Sequence, residues 1–199
     1  MIRKLPLIPT LIVAAAVAVM IALGFWQLRR AQEKDALLDR FRAAQNLPPI
    51  SFPTGPIPET RLPLFRHATG MCLRPVAKRI TAGHNRADEP GYVQIVDCTT
   101  GAEGPGMSVE LGWSKNPNAA VNWRGGLVSG IIAPDSRSRL RLVATTAPPG
   151  LEPSARPSIE QIPNNHRSYA IQWFLFALIA AVIYVLALRG KLDLKKGKE

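Results

Sequence analysis

The sequence predicts an α+β membrane protein in which two transmembrane helices bracket a β-rich domain. Two uncharged runs indicate the helices, 24 residues at positions 5–28 and 18 residues at positions 171–188. Roughly 20 apolar helical residues are enough to cross the hydrocarbon core of a bilayer. The segment between them is polar. The predicted order is an N-terminal segment (1–4), a first span (5–28), the β-rich domain (29–168), a second span (169–188) and a basic tail (189–199).

The first apolar run predicts an uncleaved membrane anchor. Basic residues precede it, and the alanines at 14–16 resemble the cleavage site of a signal peptide. The apolar core of a signal peptide has only about 7–15 residues. This run continues well past Ala16, until Arg29 and Arg30 end it. A cleaved signal peptide is the alternative interpretation.

The basic residues near the second span predict the orientation of the chain. Five Lys or Arg residues lie in the tail 189–199, and only Arg167 closely precedes the span. Basic residues accumulate on the cytoplasmic side of a membrane. We therefore expect a multi-pass protein of the bacterial inner membrane, with both termini cytoplasmic and the domain 29–168 periplasmic. That domain lacks a strip of basic and aromatic residues, so nucleic acid is not an expected partner.

The domain itself begins with a helix and a connector and continues as a sheet. Residues 30–44 have apolar side chains at helical spacing, which predicts either a continuation of the first span or a helix on the membrane surface. Six prolines in 46–63 predict an irregular connector, since proline fixes φ and lacks an N–H group. Short alternating segments then predict a small β-sandwich or barrel. The candidate strands are 65–80, 91–98, 108–113, 125–132 and 139–144.

The two cysteines, Cys72 and Cys98, favour a disulfide bond. They flank a predicted hairpin whose turn lies near residue 85, midway between them. We expect them to face each other on its two antiparallel strands, and the periplasm permits a disulfide. A closed zinc site needs more ligands than two cysteines supply. A redox-active thiol pair remains open, although no Cys-x-x-Cys motif is present.

The sequence contains no motif that indicates catalysis. It has no Gly-x-Ser-x-Gly, no phosphate-binding loop, no dinucleotide-binding glycines and no His-Glu-x-x-His. His67 and His84 are isolated, and we interpret them as surface residues. The motifs therefore give no ground for proposing catalysis.

A polar cluster at the outer ends of the two predicted spans is the candidate binding site. His166, flanked by polar residues, lies where the second span begins, and a histidine at a membrane indicates function with a partner to be named. Imidazole is a usual axial ligand of haem iron, and arginines could pair with haem propionates. Aromatic residues also occur at membrane interfaces without any such role. The candidate residues are His166, with Tyr169 and Trp173 on its helix face, and Trp26, Arg29 and Arg30 at the end of the first span.

Three short stretches resemble the surfeit-locus family of cytochrome c oxidase assembly factors. "GFWQLRR" at 24–30 is similar to the family's Gly-x-Trp-Gln-x-x-Arg, which ends its first helix. "NNHRSYAIQWF" at 164–174 is similar to its Asn-x-His-x-x-Tyr-Ala-x-x-Trp-Phe, which begins its second helix. "GWSKNP" at 112–117 resembles a family strand end. Leu111 stands where the family has arginine, which puts the role of that arginine in doubt here.

The resemblance implies a role in assembling haem–copper cytochrome c oxidase. It implies transient binding of haem a with His166 as the iron ligand, and assistance in inserting haem a into the nascent catalytic subunit. Haem a synthase is a further candidate partner. Two alternatives stay open: a scaffold or accessory subunit of the oxidase without a cofactor, and a membrane-anchored redox factor that uses Cys72 and Cys98.

The predicted orientation can be tested with reporter fusions. A reporter after Glu199 should report the cytoplasm, because the basic tail holds that end inside. A reporter inserted near Pro149 should report the periplasm. Finding both reporters on the same side of the membrane would contradict the two-span interpretation.

Overall fold

The computed structural model describes residues 6–101, 106–160 and 162–196, which fold as two compact units. One unit contains the described residues up to Leu37 and from Pro163 onward, and the other is Leu38–Ile162. The predicted N-terminal segment 1–4 and the last three residues of the predicted tail lie outside the described residues. The unit that contains the sheet is thus narrower at both ends than the expected domain 29–168.

The first helix, α1, is continuous from Leu7 to Gln45. It contains most of the predicted span 5–28 and all of the predicted helix 30–44, so the helix does not end at Leu28. Charged residues begin at Arg29, but a charge interrupts only the apolar run and not the helical backbone. Its 39 residues extend roughly 58 Å. The helix ends just before Pro48 and Pro49, which cannot continue it.

The second helix, α2, is His166–Lys196. It begins three residues before the expected span 169–188 and continues past Leu188 into the basic tail. Both α1 and α2 contain a segment long and apolar enough to cross a membrane. This length and composition agree with the two predicted spans.

The remaining unit is built on a mixed seven-stranded sheet with the order β1-β2-β6-β7-β5-β4-β3. Most neighbouring strands are antiparallel, whereas β1–β2 and β5–β7 are parallel pairs. The expected strand 65–80 is two strands, because the chain turns a corner at Leu73. The strands are β1 (Ile50–Ser51), β2 (His67–Cys72), β3 (Arg74–His84), β4 (Pro90–Thr99), β5 (Met107–Ser114), β6 (Gly126–Asp135) and β7 (Arg139–Ala144).

Side chains from β2, β4, β5, β6 and β7 form the main apolar core of this unit. β5 is buried along nearly its whole length, so both of its faces are covered. A second cluster joins the end of α1 to the connectors, with Phe41 packed against Phe65 at a ring-centroid distance of 5.0 Å. The main buried residues are Phe52, Ala68, Cys72, Val96, Cys98, Met107, Val109, Leu111, Val128, Ile132, Leu140, Leu142 and Ala144.

A disulfide bond joins Cys72 to Cys98, with their Cα atoms 5.3 Å apart. We expected the two residues to face each other across one hairpin, and they do not. Cys72 ends β2, whereas Cys98 pairs with Pro75 of β3. β2 and β4 are second and sixth in the sheet, so a flat sheet would hold them roughly 19 Å apart at about 4.8 Å per strand. The sheet therefore curls strongly. A small barrel or sandwich remains a prediction.

Polar side chains also connect strands that are distant in the sheet order. Asp135 of β6 accepts a hydrogen bond from Arg79 of β3 at 2.7 Å and two from Ser138, at 2.8 Å from its backbone N–H and 2.7 Å from its hydroxyl. A second ion pair joins neighbouring strands, since Arg141 of β7 donates to Glu110 of β5 at 2.7 Å. Burial alone raises the pKa of Asp135, but the bonds from Arg79 and Ser138 outweigh burial and lower that pKa to about 2.

Replacing both cysteines, as Cys72→Ser with Cys98→Ser, should lower the free energy of unfolding of the sheet unit by about 3 kcal/mol, because the bond restricts the unfolded chain. Denaturant unfolding followed by near-ultraviolet circular dichroism measures the change. Equal stability of the variant and the unaltered protein would show that the bond does not stabilise the unit.

Asp135→Asn should destabilise the unit at neutral pH by about 2 kcal/mol, the equivalent of the lowered pKa. Because the folded-state pKa lies below the ordinary aspartate value of 3.8, this stabilisation is present above about pH 4 and is lost as the pH falls through about 2. Acid unfolding curves test both points. Asp88→Asn, at an exposed position, is the matched control, and identical acid profiles for the two variants would contradict the assignment.

Candidate functional site

The two helices of the first unit pack along a line of small residues. Gly24 and Ala31 are buried on α1, and Ala170 and Ala177 are buried on α2, each pair seven residues apart. Small residues let two helix backbones approach closely. A Cβ atom added to Gly24 would lie 2.6 Å from the ring of Phe174. Glycine is therefore required here for the ring to pack against the backbone of α1.

Two polar pairs join the helices on this packed face. The hydroxyls of Thr10 and Tyr184 are 2.5 Å apart, and Nδ1 of His166 is 2.7 Å from Oε1 of Gln27. The partner numbers rise along α1 and fall along α2, so the two helices run antiparallel. Helix packing thus brings His166 to Gln27, in the middle of the "GFWQLRR" stretch.

The hydrogen bond to Gln27 fixes the imidazole of His166. An amide oxygen only accepts hydrogen bonds, so Nδ1 carries the proton in this arrangement. The lone pair then lies on Nε2, which has no hydrogen-bond partner among the described residues. Metal-binding histidines are commonly oriented in this way, with one nitrogen bound to a protein acceptor and the other to the metal. The sequence motif includes Gln27, but nothing in the motif identifies its partner 139 residues away.

Asp35 of α1 binds residues that precede and follow His166 in the sequence. Oδ1 of Asp35 accepts a hydrogen bond of 2.8 Å from Asn164, and its Oδ2 accepts one of 2.8 Å from Arg167. Sequence reasoning did not select Asp35, because it is one of several charged residues after the first apolar run. Oδ1 of Asn164 is buried and has no partner among the residues described.

The remaining candidate residues do not all lie on one side of the helix pair. With about 100° of rotation per residue, Trp26 and Arg30 lie on one side of α1, and Arg29 points away from α2. Arg30 forms an exposed ion pair with Glu33 at 2.7 Å. The helix geometry thus brings His166 to Gln27 and separates the directions of the two arginines.

An aromatic flank can be assigned beside His166. Asp35 and Arg167 are in contact, so they mark one side of the helix pair. Helical rotation places Trp26 and Arg30 on the opposite side of α1, and Tyr169 on the opposite side of α2. Trp26 is 45% exposed and Tyr169 is 50% exposed. We define the aromatic flank as Trp26, Arg30 and Tyr169, with Trp173 next to it.

The site offers one imidazole and not a set of metal ligands. Within residues 6–101, 106–160 and 162–196, no three His, Cys, Asp or Glu side chains are grouped as a metal site. A single imidazole suits an iron whose other ligands come from a macrocycle. The chemistry of this donor therefore fits haem better than a free metal ion.

Comparison with protein families shows to which family the chain belongs. A family model described as the SURF1 family matches residues 14–178, which include both helix-end motifs. The chain belongs to the SURF1 family. This match confirms the resemblance to the surfeit-locus family, and the SURF1 family is associated with the assembly of cytochrome c oxidase. No curated protein sequence matches the chain.

The sequence resemblance predicts one difference from the family pattern, at Leu111 of β5. Leu111 is almost fully buried in the main core. It is the extra residue of a β-bulge, because Ile95 pairs with Glu110 and Gln94 pairs with Gly112. A charged side chain in this apolar position would need a buried partner. Any role of the family's arginine is therefore not supplied by position 111.

Proposed function

We propose that this SURF1-family protein binds haem a transiently through Nε2 of His166 and assists its insertion into the catalytic subunit of cytochrome c oxidase. The observation that carries the proposal is the 2.7 Å hydrogen bond between His166 and Gln27. It gives the imidazole the tautomer that an axial ligand needs. Haem a, when bound, would supply an iron that such a nitrogen can ligate.

The residues around His166 have distinct roles in this proposal. Trp26, Tyr169 and Trp173 offer apolar aromatic surface to the macrocycle. Arg30 lies on the aromatic flank, and its exposed ion pair with Glu33 is weak enough to exchange for a haem propionate. Arg29 points in another direction, so it is the less favoured partner for a propionate.

The placement of the protein follows the same proposal. Two helices are long and apolar enough to span a membrane, and the basic tail favours a cytoplasmic C-terminus. We infer a multi-pass protein of the bacterial inner membrane with residues 29–168 in the periplasm. Its partners are the nascent catalytic subunit and, as a candidate source of the cofactor, haem a synthase. The protein acts as an assembly factor and not as an enzyme.

The redox alternative is less favoured. Cys72 and Cys98 are each only 1% exposed, and thiol exchange needs access to a sulfur atom. A structural disulfide explains their position, because it ties the corner between β2 and β3 to β4. A scaffold without a cofactor is the remaining competitor, and the following experiment separates it from a haem a carrier.

His166→Ala in protein purified from cells that make haem a should lose the bound haem, because alanine offers no ligand for iron. Folding should be intact, since His166 is the first residue of α2 and not a core residue. His166→Met should retain haem with an altered spectrum, because a thioether is a softer donor. Absorption spectra measure haem content, and circular dichroism measures folding.

His67→Ala is the matched control, because it removes an exposed histidine from the sheet unit. It should leave haem content unchanged. Full haem content with an unchanged Soret band in His166→Ala would exclude His166 as the ligand. Absence of haem from the unaltered protein would favour the scaffold instead.

A further inference from the structure

We propose that Asp35 is a positioning residue that sets the orientation of the His166 imidazole. This inference rests on the proposed function only where haem is concerned. Among the described residues, Asp35 forms no hydrogen bond with the imidazole of His166. Its two carboxylate oxygens instead bind Asn164 and Arg167, each at 2.8 Å. These residues lie two positions before and one position after His166.

The start of α2 needs such a support. Residues at a helix N-terminus lack the intrahelical bonds that hold the middle of a helix. Here the backbone N–H of Tyr169 donates to the carbonyl of Asn165 at 3.1 Å, so regular helical bonding begins directly before His166. The direction of the His166 side chain therefore depends on how the polar segment before it is held. Asp35 holds that segment through Asn164.

α1 presents Gln27 and Asp35 at a fixed separation. Eight residues of helix separate them, which corresponds to about 12 Å along the axis. Gln27 binds the imidazole and Asp35 binds the residues around it, so the start of α2 is attached to α1 at two levels. Helix packing holds α2 further along its length, and these two attachments hold its first turn. Loss of Asp35 should therefore change the His166–Gln27 geometry.

The exposure of the ion pair distinguishes positioning from simple stabilisation. The Asp35 side chain is 38% exposed and that of Arg167 is 73% exposed. Ion pairs this exposed contribute little to the free energy of unfolding. If Asp35 had only a structural role, its replacement would therefore hardly change the free energy of unfolding or the imidazole. If Asp35 positions His166, its replacement should change the orientation of the imidazole while the free energy of unfolding stays the same.

The first experiment uses the full chain in detergent without haem, labelled with ¹⁵N-histidine. The nitrogen chemical shifts of an imidazole report which nitrogen carries the proton. The His166 signals are assigned by their loss in His166→Gln. In the unaltered protein we expect protonated Nδ1 and unprotonated Nε2. In Asp35→Asn we expect a mixture of the two tautomers, because the imidazole no longer has a fixed direction toward Gln27.

The second experiment titrates the same proteins with ferric haem a and follows the Soret band. Asp35→Asn should raise the half-saturating concentration about tenfold, as loss of an outer support typically does at metal-binding histidines. Asp35→Glu keeps the charge and should recover most of the affinity. Asp39→Asn is the matched control, because it makes the same change one turn further along α1 in another exposed ion pair. It should change neither signal.

The outcomes separate the two proposals. Nitrogen spectra and haem a titration of Asp35→Asn that match those of Asp39→Asn would overturn the positioning role. An unaltered protein that binds no haem a would overturn the proposed function, and the nitrogen spectra would still decide the role of Asp35. A mixed tautomer in Asp35→Asn, with the fold intact, supports positioning in either case.

Discussion

The close approach of α1 and α2 is the constraint on which the candidate site depends. His166 and Gln27 can share a 2.7 Å hydrogen bond only because small residues let the two helix backbones approach closely. Gly24 shows how tight this packing is, since the Phe174 ring occupies the space where a Cβ atom would lie. A bulkier residue on this face would separate the helices and leave the imidazole without its acceptor. Packing between the apolar faces of the two helices thus determines which hydrogen bond His166 can form.

The sheet unit is stabilised by a different set of interactions. It has its own apolar core, and two cross-links join strands that are distant in the sheet order. The Cys72–Cys98 bond connects β2 to β4, and the Arg79–Asp135 ion pair connects β3 to β6. Both require a strongly curled sheet. Changes to these cross-links should therefore alter the stability of residues 38–162 before they alter the imidazole of His166.

The sequence allowed prediction of both helices and of most strands, because hydropathy and alternation are local properties. It indicated a helix over 30–44, close to the observed end of α1 at Gln45, but left open whether that helix continues the first span. It also could not show that the strand at 65–80 breaks at Leu73, because alternation does not reveal a corner. His166 was identifiable from its polar neighbours and the family motif. Gln27 and Asp35 acquire roles only through partners more than 100 residues away, which no local pattern encodes.

The central claim is that His166 ligates haem iron. Electron–nuclear double resonance on the ferric haem a complex, labelled with ¹⁵N-histidine, tests it most directly. The account predicts a strongly coupled imidazole nitrogen that persists when His67 and His84 are replaced and disappears in His166→Met. A haem a complex without a coupled imidazole nitrogen, or one whose coupling survives in His166→Met, would contradict the account.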